Sequence, residues 1–230
     1  MLHRLQQLFL IEAAKFNVLP LDDRRIERFN PDLAGRPQLV RGNRQLVFGG
    51  TKRLPENAVL NIKNKSHAVT AEIDVSGDAS GVIIAQGGSF GGWSLYTLNG
   101  RLTYCYNLLG LKRFKVIANL AIPSGTHQVR MEFAYDGGGL GKGGAVTLYL
   151  NGRVIAEGRV DQTQAMVFSA DETTDLGSDT ATPVSDDYGS ADSAFNGRVR
   201  WVEIDIDKAA ADTDHLISPE ERYRIAISRQ

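Results

Sequence analysis

Cysteine is nearly absent from this sequence: among 230 residues there is one, Cys105. No intrachain disulfide can form, and a single thiol suits a reducing compartment. An excess of charge of one sign is missing too. The net charge is −1, so bulk electrostatics point neither to nucleic acid nor to an anionic membrane. No apolar run reaches the roughly 18 to 20 residues that cross a bilayer. The stretch MLHRLQQLFLIEAAKF is interrupted by acidic and basic residues and does not read as a secretory signal. Together these absences lead to the expectation of a cytoplasmic protein with no nucleic-acid and no membrane partner. Metal-ligand spacings of the CxxC or HxH kind are missing, and His3, His67, His127 and His215 are scattered.

What is present is glycine, 24 of them, among short runs rich in Val, Thr and Tyr. From residue 37 the chain reads as short strands, among them HAVTAEIDV, GVIIAQGG, WSLYTLNG, RLTYCYNLL, HQVRMEFAY and RVRWVEIDID. Turn signals recur every 8 to 12 residues or so, the spacing of an antiparallel sandwich. Asn99-Gly100 and Asn151-Gly152 are the strongest hairpin signals, because both central residues of a tight hairpin turn need positive φ. No helical pattern separates the strands, which argues against a parallel sheet. Before them, Leu5, Leu8, Phe9, Glu12 and Phe16 have helical spacing over residues 3–16. A helix that short needs a partner surface, in this chain or in a domain on its N-terminal side. At the other end, SPEERYRIAI carries a helix start, with Ser218 as N-cap and Glu221 three residues on.

The stretch YDGGGLGKGG invites comparison with a phosphate-binding loop, and it fails on three counts. Asp136 stands where the first glycine belongs, Gly143 where the magnesium-binding hydroxyl belongs, and a strand follows instead of a helix. Its bland reading is a wide, mobile glycine loop between antiparallel strands. The polar stretch FSADETTDLGSDTATPVSDDYGS gathers Glu172, Asp175, Asp179, Asp186 and Asp187. These are candidate calcium ligands, weighed against a solvated acidic loop, although the EF-hand spacing is absent. Phe90 and Trp93, beside flexible glycines, are candidate faces for a sugar, weighed against places in the core. His67, His127 and Cys105 lie in strand contexts and are expected to be structural.

The segments SGVIIAQGGSFGGWSLYTLNGRLTYCYN and HQVRMEFAYDGGGLGKGGAVTLYLNGRVIAEG resemble the hairpins of concanavalin A-like and laminin-G-like jelly rolls. More narrowly, LFLIEAAKFNVLPLDDR, GGSFGGWSLY, YDGGGLGKGG and ETTDLGSDTATPVSDDY, in that order over roughly residues 5 to 207, resemble the C-terminal part of one group of bacterial arylsulfatases. That resemblance implies an all-β jelly-roll sandwich at residues 37–207. A helix and connector (1–36) would leave a catalytic domain on the N-terminal side, and a helical tail (208–230) would follow. It also implies an accessory, non-catalytic role beside a sulfatase domain, near a sulfated or glycan ligand, in which Lys142, with Gly139 and Gly141, is a candidate for meeting an anionic sulfate ester, weighed against a solvated loop. Sulfatases carry Cys-x-Pro-x-Arg or Ser-x-Pro-x-Arg, whose first residue becomes formylglycine. Neither occurs here, since Tyr-Asn follows Cys105. This chain alone is therefore not expected to hydrolyse sulfate esters, and no cofactor is required, with calcium the one ion in view. A stand-alone lectin-like carbohydrate-binding module is the alternative.

Overall fold

The computed structural model describes residues 1–19, 29–34 and 39–206. The chain divides into two compact units, residues 1–36 and 37–230. In the first, helix α1 spans Leu2–Lys15, one residue from the limits that its apolar spacing predicts, and α2 is one turn, Pro31–Ala34. Leu5, Leu8 and Phe9 of α1 stay half-exposed. The helix expected from Ser218 and the tail boundary at 207/208 lie outside the described residues. No helix among the described residues is long and apolar enough to cross a membrane.

The described residues of the second unit form a sandwich of eleven strands: β1 (Arg44–Phe48), β2 (His67–Val75), β3 (Gly81–Gly88), β4 (Gly91–Leu98), β5 (Arg101–Leu108), β6 (Lys112–Ala121), β7 (Gly125–Tyr135), β8 (Lys142–Leu150), β9 (Arg153–Gln162), β10 (Thr174–Leu176) and β11 (Arg198–Asp205). One sheet runs β1-β11-β2-β7-β8-β9 and the other β10-β3-β4-β5-β6. All these strand pairs are antiparallel. The chain crosses between sheets after β2, β6, β9 and β10. That alternation makes it a jelly-roll β-sandwich of the concanavalin A-like and laminin-G-like kind.

The core follows from period-2 patterning. Val69, Ala71 and Ile73 of β2 and Val129, Met131 and Phe133 of β7 face inward, in one cluster with Trp93, Leu95, Tyr104 and Tyr106 of β4 and β5. Each fully buried side chain of this size contributes about 2 kcal/mol. A smaller cluster on the outer face of the five-stranded sheet joins Val82, Ala85, Tyr96 and Cys105 to Val184. There burial pushes the Cys105 thiol up to about 11, which leaves it an inert packing residue as its strand context predicts. The middle of the outer face of the six-stranded sheet, at Thr70, Glu72, Arg130 and Glu132, is buried and polar. Arg130 donates to Glu132 Oε1 at 2.8 Å and to Thr70 Oγ1 at 2.8 Å, and Tyr149 donates to Glu132 Oε2 at 2.9 Å.

Three hairpin turns share one backbone. Asn99-Gly100 has φ of 51° and 77°, and Asn151-Gly152 has 48° and 77°, as the Asn-Gly signal predicts. The β5–β6 tip repeats it with Leu109 at 56° and Gly110 at 72°, closed by Leu111 N–H donating to Leu108 O at 2.9 Å. Leucine in this left-handed region costs about 1 kcal/mol that asparagine largely escapes.

Candidate functional site

The candidate residues divide by end and face of the sandwich. The β3–β4 tip (Ser89, Phe90), the β5–β6 tip (residues 109–111), the β7–β8 loop (residues 136–141) and the segment that follows β9 all meet at one end. Asn107 ties the first two tips together. Its amide donates to Gly88 O at 2.7 Å and to Ser89 O at 3.1 Å, and it accepts from Gly110 N–H at 3.0 Å. The approach is close: a Cβ on Gly110 would lie 2.7 Å from Ser89 O.

Thr163 and Gln164 form the floor between the β3–β4 tip and the β7–β8 loop. A side chain at Gly91 would collide with the Gln164 amide. On the other flank Thr163 N–H donates to Gly141 O at 3.2 Å, and its hydroxyl donates to Lys142 O at 2.7 Å. The β7–β8 loop is fastened rather than loosely spanned. Gly141 N–H donates to Asn64 at 2.9 Å, Lys142 N–H donates to the Tyr135 hydroxyl at 2.9 Å, and that hydroxyl donates to Gly139 O at 2.6 Å. Gly141 has φ of 65°, and a Cβ there would sit 3.0 Å from Thr163 O, so the position admits only glycine without strain. Lys142 opens β8 exposed to solvent, and its ammonium makes no ion pair among the described residues.

Phe90 and Trp93 part company in the structure. Phe90 stands 72% exposed on its tip, whereas Trp93 is wholly buried with its Nε1–H donating to Gln86 Oε1 at 2.8 Å. No face of the Trp93 ring is open to stack on a sugar, because β4 turns it between the sheets. Below the floor lies a cavity of about 10 Å³ lined by His67, Tyr106, Phe133, Gln164 and others, too small for a sugar ring. His67 is buried against Phe133, and burial lowers its pKa to about 4. Its Nδ1 meets Lys65 O at 3.0 Å; a carbonyl only accepts, so Nδ1 carries the proton and Nε2 is a bare acceptor. Any glycan must therefore meet the outer rim, not the interior.

The five acidic residues do not converge. Asp175 accepts from Arg53 N–H at 2.6 Å and from the Thr180 N–H and hydroxyl at 3.0 and 2.6 Å. Asp179 accepts from Val184 N–H at 3.0 Å and the Tyr188 hydroxyl at 2.9 Å, and burial pushes its pKa up to about 6. Asp186 and Asp187 pair with Lys115, and Asp187 also accepts from Tyr96. Glu172 accepts from Thr182 beside Gly88. Among the described residues no three or more His, Cys, Asp or Glu side chains are grouped to hold a metal ion. These carboxylates instead pin the 172–188 segment over the five-stranded sheet.

No protein-family model and no curated protein matches the sequence. Among solved structures, a native heptameric SAP-like pentraxin from Limulus polyphemus shares 16% identity at a TM-score of 0.41, over 69% of this chain and 73% of that one. Domains LG4-5 of mouse laminin α1 chain share 15% at 0.41, over 72% and 39%. The binding domain of Paraclostridial Mosquitocidal Protein 1 shares 14% at 0.41, over 73% and 43%. At these values the likeness adds nothing to what the strand order itself shows.

Leu109, Leu111 and Gln164 are not among the candidate site residues that the sequence offers. The signal for the first two lay in NLLGLKR, a Leu-Gly pair at a hairpin position between two strands.

Proposed function

We propose that this chain is a lectin-like carbohydrate-binding module whose ligand lies on the loop rim between Phe90 and Lys142. The observation that carries the reading is an exposed aromatic ring and an ammonium with no ion pair among the described residues, on segments that flank one dipeptide, Thr163-Gln164. An aromatic face stacks on the apolar face of a pyranose, and a lysine supplies a point charge for a sulfate or carboxylate. Sulfated or otherwise anionic glycans are the favoured class. Calorimetry with sulfated and plain oligosaccharides, with and without calcium, tests it. Sulfated ligands should bind, and Phe90→Ala or Lys142→Ala should weaken binding by about tenfold. Absence of heat at millimolar ligand removes the reading, and a calcium requirement would restore the acidic segment to the site.

The resemblance to arylsulfatases implies a second reading, which no family model or curated relative supports, in which the same rim faces a sulfatase catalytic domain and Lys142 attracts a sulfate ester held there. Lys142→Ala in such a complete enzyme should then raise KM while leaving kcat unchanged. The isolated chain should hydrolyse no aryl sulfate. An unaltered kcat/KM in the variant removes Lys142 from that role.

A further inference from the structure

Three apolar side chains project from the two tips that Asn107 ties together: Phe90 at 72%, Leu109 at 55% and Leu111 at 85% exposure. Leu109 does so from the left-handed conformation that Asn99 and Asn151 occupy in the other two hairpins. A residue that strains its backbone and buries little of its side chain gains nothing from the fold. Strain of this kind persists where a site uses it.

The shape of the patch selects its partner. Three side chains on convex tips offer on the order of 400 Å², about half of what one partner contributes to a standard protein interface. A lipid surface needs neither that area nor a complementary shape, only apolar groups that reach the acyl boundary. Two cations lie behind the tips, with Asp161 paired to Lys112 and the Glu172 carboxylate packed beside Gly88. Residues 88–92 and 107–113 contain no carboxylate and two cations, Lys112 and Arg113. Lys112 pairs with exposed Asp161 at 3.1 Å, and Arg113 Nε donates to Val184 O at 3.0 Å, so both are anchored just behind the apolar tips. We propose that the β3–β4 and β5–β6 tips insert into the headgroup region of an anionic lipid surface, with Phe90, Leu109 and Leu111 as the wedge and Lys112 and Arg113 at the level of the phosphates. This goes beyond the glycan reading, because it requires no sugar and rests on two leucines that the glycan site does not use.

The test is sedimentation of the full chain with sugar-free vesicles of phosphatidylcholine, alone or mixed with phosphatidylserine. Binding should favour the mixed vesicles and weaken with salt. The double variant Phe90→Ser, Leu111→Ser should lose at least about tenfold in partitioning, with its thermal midpoint unchanged. Leu109→Asn should bind lipid more weakly while melting higher, which a merely destabilising change cannot do. A tryptophan placed by Phe90→Trp should be quenched by brominated lipid. Equal sedimentation of variant and parent, or no binding to either vesicle, overturns the proposal. Self-association that the double variant abolishes, without lipid binding, assigns the tips to a second copy and overturns it as well. Blank calorimetry with sugars beside positive vesicles would remove the glycan reading alone.

Discussion

The two ends of the five-stranded sheet solve the same turn with different residues. At one end Asn99-Gly100 closes β4 onto β5, and Gly100 is knitted into the fold by its N–H to Ala79 O at 3.0 Å and its carbonyl from Ile122 N–H at 2.8 Å. At the other end Leu109-Gly110 closes β5 onto β6 with nearly the same dihedral angles, and its leucine faces water. Asparagine in this conformation is what turn chemistry alone would choose. Leucine is not. The backbone requirement is thus identical at both ends, and the side-chain choice separates an end built for closure from one built to present apolar surface.

The largest expected effect sharpens that contrast between body and tip. Trp93→Ala, in the strand joining the two ends, removes a fully buried ring and orphans Gln86 Oε1; it should cost about 4 kcal/mol in urea unfolding. Phe90→Ala, three residues away, should cost less than about 0.5 kcal/mol. Similar losses for both would mean that the tip is part of the core.

Acid titration separates the loop end from the face beside it. The His67 pKa is lowered from 6.5 to about 4, so the unfolded chain binds the proton more readily. Its contribution of about 3 kcal/mol is full above pH 6.5 and is lost as pH falls toward 4. Asp179, raised from 3.8 to about 6, has the opposite sign. There the folded chain holds the proton more tightly, so a comparable contribution is full below pH 3.8 and is lost as pH rises through 6. The two slopes oppose each other between pH 4 and 6. Asp179→Asn should expose a steep loss of stability on acidification below pH 6.5, and His67→Gln should reverse the slope. A flat profile in Asp179→Asn would mean that His67 is not held neutral at the loop end.

The glycines of the two turns should differ by less. Gly100→Ala and Gly110→Ala both force alanine to positive φ, at about 1 kcal/mol each. At Gly110 the new methyl also meets the fixed Ser89 carbonyl at 2.7 Å, whereas at Gly100 it meets the Ala121 methyl at 3.1 Å. Gly110→Ala should therefore lose about 1 kcal/mol more in the same unfolding assay, and equal losses would deny the close approach of the two tips.

Much of this was legible before the structure, and the failures have physical causes. Asn99-Gly100 and Asn151-Gly152 announce their hairpins because few residues accept positive φ, and α1 is bounded by its apolar spacing to within one residue. β10 is different: Thr174–Leu176 is too short to show a period, so it is indistinguishable from the acidic loop around it. GGSFGGWSLY could not sort Phe90 from Trp93, because glycines on both sides erase the alternation that tells one face of a strand from the other. RLTYCYNLL reads as one strand through Leu109, since an apolar residue signals a strand more strongly than a following glycine signals a turn. The carboxylates mislead for another reason. Asp175 finds its partner at Arg53 N–H, 122 positions away in the chain, and only the folded sheet order brings them together. Net charge likewise does not show that Lys112 and Arg113 stand behind the apolar tips.

The smallest effect is also the most direct comparison, an exchange of the two turn residues. Asn99→Leu should cost about 1 kcal/mol, and Leu109→Asn should gain about as much, each moving the thermal midpoint by about 2–4 °C in opposite directions. β5 separates the turns by its eight residues, roughly 26 Å, so the two changes share no partner and should add. The double exchange should then melt near the parent while its apolar tip stands at the wrong end of the sheet. If stability is restored and lipid partitioning is not, Leu109 owes its place to what lies outside the protein. If Leu109→Asn fails to stabilise, the leucine makes a contribution to folding that its exposure does not account for, and the two ends differ less than their turns suggest.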